Sequence, residues 1–263
     1  MESRDCRSFS IVTYADGVLT HRKDTVVVEH ELAIHLNGQK FISLLCTPRS
    51  LPELVTGFLH AEGLAHAASD ILHLCIDDKG LQADIRLLEL PSCLNDRTRT
   101  VTSAGGHGGK TLEADVPCPE CVVTCGAIPL DPLVICRLME TFGRRSDLFH
   151  RTGGVHSCAL SDGSDILLFE DDIGRHNALD KIIGHTLLQS MDIDDKIILT
   201  SGRVSSEIVA KVSRRGIGAI ISRSAPTSRA IDLARSVGMT LIGFARGQSL
   251  NVYANFSCFD EVL

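Results

Sequence analysis

Three cysteines lie close together near the middle of the chain, at the spacing Cys-x-x-Cys-x-x-x-Cys: Cys118, Cys121 and Cys125. Thiolates in such a cluster can carry sulfur as a persulfide or ligate a metal ion such as zinc. A persulfide carrier needs an accessible thiolate of low pKa, preferably on a segment that can move between donor and acceptor. These cysteines are therefore the first candidates for chemistry.

A second group of polar residues follows four predicted strands, which end near Phe169, Thr200, Ser222 and Phe244. Ligands of α/β sheets bind beyond the carboxyl ends of the strands, and free N–H groups at helix N-termini favour phosphate. In any single loop the serines could be plain N-caps and the arginines solvated. Four loops meeting at one sheet edge instead predict an anion site, most simply for a nucleotide. The arginines available to it are Arg175, Arg203, Arg223 and Arg246. No loop contains a Walker A or dinucleotide fingerprint.

The first ninety residues are predicted to form mainly strands. Residues 25–37 read as one extended run, and Asn37-Gly38 predicts a hairpin with the strand that returns over 41–46. Ser50-x-x-Glu53 matches a capping box, so we expect a helix that begins there and ends at Gly63. Residues 77–80 predict a second hairpin.

Beyond residue 129 the pattern changes to alternating helices and strands, typical of a layered α/β domain with a largely parallel sheet. The predicted helices are 133–142, 175–189, 204–214 and 226–237, and the predicted strands are 155–160, 166–169, 196–200, 219–222 and 240–244. Between the two halves, four of the six residues from Ala104 to Gly109 are glycine. We therefore divide the chain into a strand-rich N-terminal subdomain (1–97), a glycine- and cysteine-containing loop (98–128) and an α/β cofactor-binding domain (129–263).

Composition limits the possible functions. The chain has 263 residues, a formal net charge of -7, 44% hydrophobic residues and 22% charged residues, as expected of a globular protein. The acidic balance argues against a nucleic-acid binder, and no apolar run is long enough to cross a membrane. Ten cysteines without a secretory signal predict a reducing cytoplasm, where most thiols are core residues and not disulfides.

Several motifs resemble the formate dehydrogenase accessory proteins of the FdhD/NarQ family. The most specific is Asp172-Ile-Gly-Arg-His-Asn-Ala-Leu-Asp-Lys181. Others, in chain order, are Glu31-x-Ala-Ile-x-Leu-Asn-Gly38, Gly57-Phe-Leu-x-x-Glu-Gly63, Thr152-Gly-Gly-x-His156, Ser201-Gly-Arg-x-Ser-x-Glu207 followed by Lys211, and Leu241-Ile-Gly-Phe-x-Arg246. The resemblance runs in order from about residue 25 to residue 254.

The resemblance implies a fold and a function. The fold would be a cytidine-deaminase-like three-layer α/β/α domain with a smaller N-terminal subdomain, in a homodimer. The protein would take persulfide sulfur from a cysteine desulfurase and transfer it to the molybdenum bis-molybdopterin guanine dinucleotide cofactor of formate dehydrogenase. The family's cofactor-binding stretch corresponds to Phe244, Ala245, Arg246, Gly247, Gln248 and Ser249. From the strand-end loops and motifs we add His156, Arg175, His176, Ser201, Gly202, Arg203 and Ser205.

One departure from the family pattern concerns the sulfur carrier. The family usually places Cys-x-x-Cys in a glycine-rich loop, but here residues 102–109 contain no cysteine. We therefore predict a displaced carrier about ten residues downstream, with Cys121 as first choice and Cys118 and Cys125 next. The competing interpretation is a cofactor-binding chaperone that has lost the transfer step.

Two rival interpretations involve zinc. The cysteine cluster would need a fourth ligand for structural zinc, and His107 or Cys136 could supply it. Alternatively, His60-Ala-Glu62 with Pro117-Cys-Pro-Glu-Cys121 spells a zinc-deaminase signature. The gap between these two parts is longer than that signature usually has, and His60 lies ahead of the α/β domain.

The motif residues also have structural interpretations that need no ligand. His156 and His176 could be ordinary satisfied histidines, and Cys158 is expected in the core. Asp172 could pair with Arg175, and the neighbouring Asp180 and Lys181 could form a surface pair on a helix, worth little energy.

Overall fold

The computed structural model describes residues 4–89, 99–101 and 130–259. Cys118, Cys121, Cys125 and the glycine-rich loop 102–109 lie outside these residues. The strands are β1 (Cys6–Ala15), β2 (Val18–Val27), β3 (His30–Leu36), β4 (Gln39–Cys46), β5 (Ile71–Ile76), β6 (Gln82–Leu87), β7 (Arg99–Val101), β8 (His156–Ser161), β9 (Ile166–Asp172), β10 (Ile197–Thr200), β11 (Ala219–Ser222), β12 (Thr240–Arg246) and β13 (Ser249–Ala254). The helices are α1 (Leu51–Ala61), α2 (Pro132–Arg144), α3 (Asp147–Thr152), α4 (Arg175–Leu188), α5 (Ser206–Arg215) and α6 (Ser228–Ser236).

The N-terminal half contains a five-stranded sheet in the order β5-β6-β3-β4-β7. Asn37 and Gly38 form the predicted turn between β3 and β4, and both have the positive φ that such a turn requires, 48° and 87°. Alternate residues of β3, including Leu32 and Ile34, are fully buried beneath α1. The hairpin prediction and the helix prediction are therefore confirmed.

The C-terminal half is a six-stranded sheet in the order β13-β12-β11-β10-β8-β9, with β10, β11 and β12 parallel. Successive side chains of β10 point to opposite faces of the sheet and pack in two different hydrophobic cores. Ile198 packs with α4, α5 and α6 on one face, whereas Ile197 and Leu199 pack with α2 on the other. The predicted α/β fold with three layers is confirmed.

Two glycines allow the halves to meet through α1 and α4. A Cβ on Gly57 would lie 1.8 Å from the backbone oxygen of Asp180, and a Cβ on Gly184 would lie 1.9 Å from that of Glu53. The backbones of the two helices are therefore in direct contact, and α1 reaches across from the first sheet to the second.

Several local predictions are wrong. Ser50 does not cap α1: it adopts a left-handed conformation with φ 49°, and its hydroxyl donates to Glu170 at 2.6 Å. The extended run 25–37 is divided between two strands, and β1 pairs with β2 in a separate ribbon. Residues 99–101 fall in the predicted loop but pair with β4 as β7. We did not predict α3 or β13.

Within the described part of the chain, no helix is both long and apolar enough to cross a membrane.

Candidate functional site

The loops predicted to converge do so at one edge of the six-stranded sheet. Because β8 runs antiparallel to both β9 and β10, its first residue, His156, lies beside the ends of those strands. Backbone hydrogen bonds join successive loops: Ser201 donates to Ser157, Arg223 to Thr200, and Phe244 to Ser224, all at 3.0 Å. The edge is therefore one continuous surface.

A cleft of about 630 Å³ opens at this edge, between the strand ends and helices α2 and α3. Of the predicted cofactor-binding residues, His156, Ser201 and Arg246 line it. The other lining residues are Phe142, Gly143, Ser146, Phe149, Gly153, Gly154, Val155, Ser157, Ile173, Arg223 and Ser224. Its size suits a nucleotide-sized ligand, and its two arginines suit a phosphate.

A second group of predicted residues lies where α4 and α5 begin, next to His156. A Cβ on Gly202 would lie 3.1 Å from Cβ of Arg175 and 3.4 Å from Nδ1 of His156, so these three residues are closely packed. Burial lowers the pKa of His156, and the charges of Arg175 and Arg203 lower it further. Burial and these two positive charges therefore favour the neutral form of the imidazole.

The side chain of Arg175 has a hydrogen-bond donor that a ligand can use. Its Nε is buried and has no hydrogen-bond partner, although a buried donor normally has one. Burial and the charge of Arg203 lower its pKa. An anion bound here would satisfy the donor and relieve the repulsion between the two arginines. Ser205, at the start of α5, likewise has a buried hydroxyl without a partner.

His176 faces a carboxylate and not the cleft. Its Nε2 lies 3.2 Å from Oε2 of Glu207 on α5. Burial nevertheless lowers the pKa of His176, with Glu207 opposing the shift.

The predicted stretch 244–249 includes an irregularity in the pairing of β12 with β13, between Gly243 and Arg246. Phe244 has a positive φ of 51°, a strained conformation for a bulky residue, and the guanidinium of Arg246 lies 5.8 Å from the centre of its ring. Ala245 is 1% exposed and packs in the core, so its side chain is not available to a ligand. Gly247, Gln248 and Ser249 are exposed.

Asp172 is buried and bonds to several elements of the structure. The expected ion pair between Asp172 and Arg175 is not found among the described residues. Its carboxylate oxygen Oδ2 lies 2.8 Å from Nζ of Lys181, and both side chains are fully buried. Oδ2 also accepts from the backbone and hydroxyl of Thr47, while Oδ1 accepts from Gly174 and Asn177. Four residues of the most specific motif therefore hold this edge of the sheet together: Asp172, Gly174, Asn177 and Lys181.

The expected surface pair of Asp180 and Lys181 is also wrong. Both residues are buried, at 2% and 0% exposure, and they point to different partners. Asp180 accepts from Lys211 of α5 at 2.7 Å, whereas Lys181 reaches Asp172. These two ion pairs connect α4 to α5 and α4 to β9, so the two charged side chains do not lie together on the surface of one helix.

Sequence reasoning missed the half-buried carboxylate of Asp171. It accepts hydrogen bonds of 2.6 Å from Ser146 and Ser157, two residues that line the cleft. Burial raises its pKa, and the two hydroxyl donors oppose the shift. Its position directly before the most specific motif was the available signal.

Three of the described cysteines are too deeply buried to act as sulfur carriers. Cys46, Cys158 and Cys258 are buried as expected. Burial, assisted by Asp172, raises the pKa of Cys46 to about 12, and burial also raises that of Cys158. Cys75 is exposed and Cys136 half-buried, contrary to the expectation that they are core residues.

The deaminase interpretation depends on His60, which lies in α1 and is 4% exposed. Its Nδ1 lies 3.1 Å from the carbonyl oxygen of Ala65. Within the described residues no three histidine, cysteine or carboxylate side chains form a group that could hold a metal ion. The cysteines that the signature requires lie outside that part.

His60 makes stability depend on pH. Burial, with smaller effects of Arg215 and Arg214, lowers its pKa from 6.5 to about 4. Between these values the unfolded chain binds a proton that the folded chain does not, so stability is full above pH 6.5 and falls as the pH drops. From pH 7.5 to 5 we expect His60 to account for about 2 kcal/mol of lost stability.

Urea unfolding of the wild type and His60→Gln at both pH values measures how much of the stability lost on acidification is due to His60. The glutamine variant should lose less stability on acidification. Equal losses in the two proteins would contradict the assignment, and His21→Gln, at an exposed position of β2, serves as the control.

Comparison with known proteins agrees with the motifs. The model of the FdhD/NarQ family matches residues 27–259. Similar relatives include the sulfur carrier protein FdhD of Bacillus subtilis strain 168, 39% identical over 92% of this chain and 93% of the relative. The protein of the same name from Bacillus licheniformis is 36% identical over 94% of this chain and 95% of the relative.

A solved structure shares the fold. The crystal structure assigned to a formate dehydrogenase accessory protein from Desulfotalea psychrophila superimposes with a TM-score of 0.78. The match covers 97% of this chain and 99% of that chain, at 24% sequence identity. The arrangement of sheets and helices is therefore one already found in a solved protein.

Proposed function

The chain belongs to the FdhD/NarQ family, and on that premise we propose that it is a sulfur carrier that serves formate dehydrogenase. It takes persulfide sulfur from a cysteine desulfurase and delivers it to the bis-molybdopterin guanine dinucleotide cofactor, which it binds as a client. The observation that carries the proposal is the convergence of four strand-end loops on one arginine-bearing cleft. The relatives named sulfur carrier proteins support the sulfur role.

The cleft residues fit the phosphate groups of such a client. Arg223 and Arg246 supply two guanidinium groups at its wall, and Arg175 has a buried Nε without a partner beside His156. Phe244 does not line the cleft, but its ring centre lies 5.8 Å from the guanidinium of Arg246, which does, and we assign it the stacking of a base. A homodimer and a cytoplasmic location remain predictions.

Loading of sulfur is a thiol–persulfide exchange. The carrier thiolate attacks the terminal sulfur of the desulfurase persulfide, the S–S bond of the donor breaks, and the donor thiolate leaves. A new S–S bond forms on the carrier without net oxidation. We assign this role to Cys121, with Cys118 and Cys125 as its neighbours.

Release of the carried sulfur as sulfide takes two electrons. A second thiolate of the cluster supplies them by attacking Sγ of the persulfidated cysteine, which expels sulfide and leaves a disulfide. A cellular thiol then reduces that disulfide. A cluster of cysteines is therefore better suited to the task than a lone thiol.

The test is a mass spectrum of the protein after incubation with a cysteine desulfurase and cysteine. We expect the wild type to gain one sulfur atom and the triple variant Cys118→Ala/Cys121→Ala/Cys125→Ala to gain none. Cys75→Ala/Cys136→Ala, which removes the two thiols that are not buried in the described part of the chain, is the matched control and should load normally.

Two outcomes would contradict the proposal. Undiminished loading of the triple variant would exclude the cluster as carrier. A wild type that binds guanosine diphosphate but takes up no sulfur would favour the chaperone interpretation. Metal analysis of the same samples tests the zinc interpretations, since stoichiometric zinc would count against a free carrier thiol.

A further inference from the structure

A groove of about 400 Å³ adjoins the cleft. Gly143, Arg223 and Arg246 line both cavities, so they form the boundary between them. The rest of the groove comes from α2 and from the turn between β12 and β13: Met139, Glu140, Arg144, Gly247 and Gln248. The two cavities are therefore neighbouring compartments separated by arginine side chains.

Gly143 allows Arg223 to occupy this boundary. A Cβ on residue 143 would lie 1.8 Å from Nη1 of Arg223 and 2.9 Å from its Cζ. The guanidinium thus lies directly against the backbone of the last turn of α2, where a side chain would displace it. The carbonyl end of a helix also favours a cation at this position.

The positive charges of Arg223 and Arg246 at this boundary are available to a ligand. Among the residues that the structure describes, no ion pair involves Arg223 or Arg246. Arg144, further along the groove, is paired with Glu140. A phosphate at the boundary would therefore meet two guanidinium groups that no carboxylate in the described part neutralises.

We propose that Gly143 is a positioning residue that holds Arg223 between the cleft and the groove, and that the groove is a second subsite of the same ligand. A ligand that places its phosphates at Arg223 and Arg246 can extend into both compartments, as a dinucleotide does and a mononucleotide does not. This inference rests on the proposed function, because it assumes that the cleft binds a phosphate-bearing client.

The first test is Gly143→Ala, with guanosine diphosphate as the probe in calorimetric titrations. The new methyl group meets only the flexible end of an arginine, and alanine suits a helix better than glycine, so the thermal midpoint should not fall. Binding should weaken about 10-fold, as expected when a charged hydrogen-bond donor is moved away from a phosphate.

A double-mutant cycle separates positioning from a general structural effect. In an Arg223→Ala background, Gly143→Ala should cause no further loss of binding, because the side chain that it displaces is absent. Arg235→Ala, which removes one positive charge from α6 on another face, controls for net charge and should bind normally. Additive losses in the cycle would overturn the positioning role.

The second test compares guanosine diphosphate with diguanosine diphosphate. We expect the dinucleotide to bind more tightly, and Arg144→Ala in the groove to weaken the dinucleotide while leaving the mononucleotide unchanged. Equal affinities with no effect of Arg144→Ala would overturn the second subsite. Failure of the wild type to bind either probe would overturn this inference and the nucleotide part of the proposed function together, whereas sulfur loading would test the carrier role separately.

Discussion

Replacing Asp172 with alanine is expected to lower the free energy of unfolding by about 3–5 kcal/mol, the usual cost of breaking a buried ion pair by removing one partner. The substitution leaves the ammonium group of Lys181 at 0% exposure without its counter-charge. It also removes the acceptor for donors from Thr47, Gly174 and Asn177. These donors come from the N-terminal half, the β9–α4 turn and α4, so the loss should loosen the whole sheet edge.

Urea denaturation at pH 7 measures this loss. Asp172→Asn keeps the shape and one acceptor but not the charge, and it should lose less stability. Asp232→Ala, at an exposed position of α6, is the matched control and should change stability by less than about 0.5 kcal/mol. A loss below about 1 kcal/mol in Asp172→Ala would contradict the structural role of this carboxylate.

Replacing Gly184 with alanine is expected to cost about 3 kcal/mol or more, at the upper end of the range for overpacking. The added methyl group would lie 1.9 Å from the backbone oxygen of Glu53, and backbone atoms cannot rotate away as a side chain can. Gly57→Ala should behave in the same way, since its methyl group would meet the backbone oxygen of Asp180 at 1.8 Å. Helices α1 and α4 would have to separate.

Whether Gly184→Ala raises or lowers the free energy of unfolding distinguishes helix propensity from overpacking as the dominant cause. Helix propensity alone predicts that alanine stabilises α4 by about 1 kcal/mol relative to glycine. Gly143→Ala, also within a helix, is the control, because its methyl group meets only an arginine side chain. Urea unfolding should therefore show a loss for Gly184→Ala and none for Gly143→Ala. Wild-type stability in Gly184→Ala would show that the helices can separate at little cost.

Local signals predicted local structure well. Asn37-Gly38 identified a hairpin because the required positive φ values depend on those two residues alone. Alternating helices and strands after residue 129 identified the layered α/β domain, since each element shows its own hydrophobic period. The convergence of the strand-end loops followed from the same pattern, because parallel strands end at one edge.

Predictions failed where a distant partner competed with a local one. Ser50 matched a capping box, but its hydroxyl bonds to Glu170, which is 120 residues away in the sequence. Asp180 and Lys181 looked like a surface pair, yet each is buried by a different element. Ala245 lies in the predicted cofactor-binding stretch, but the irregularity in the pairing of β12 with β13 places its side chain in the core.

The sequence by itself determined the family, the α/β class, the cysteine cluster and the strand-end loops, because motifs and periodicities are carried by neighbouring residues. Only the tertiary structure decided what each charged side chain does. It separated the structural Asp172–Lys181 pair from the available arginines at the cleft. It also showed why Gly57 and Gly184 must lack side chains. The physical reason is that burial, charge pairing and close backbone contact depend on which distant residues meet, and those meetings exist only in the folded chain.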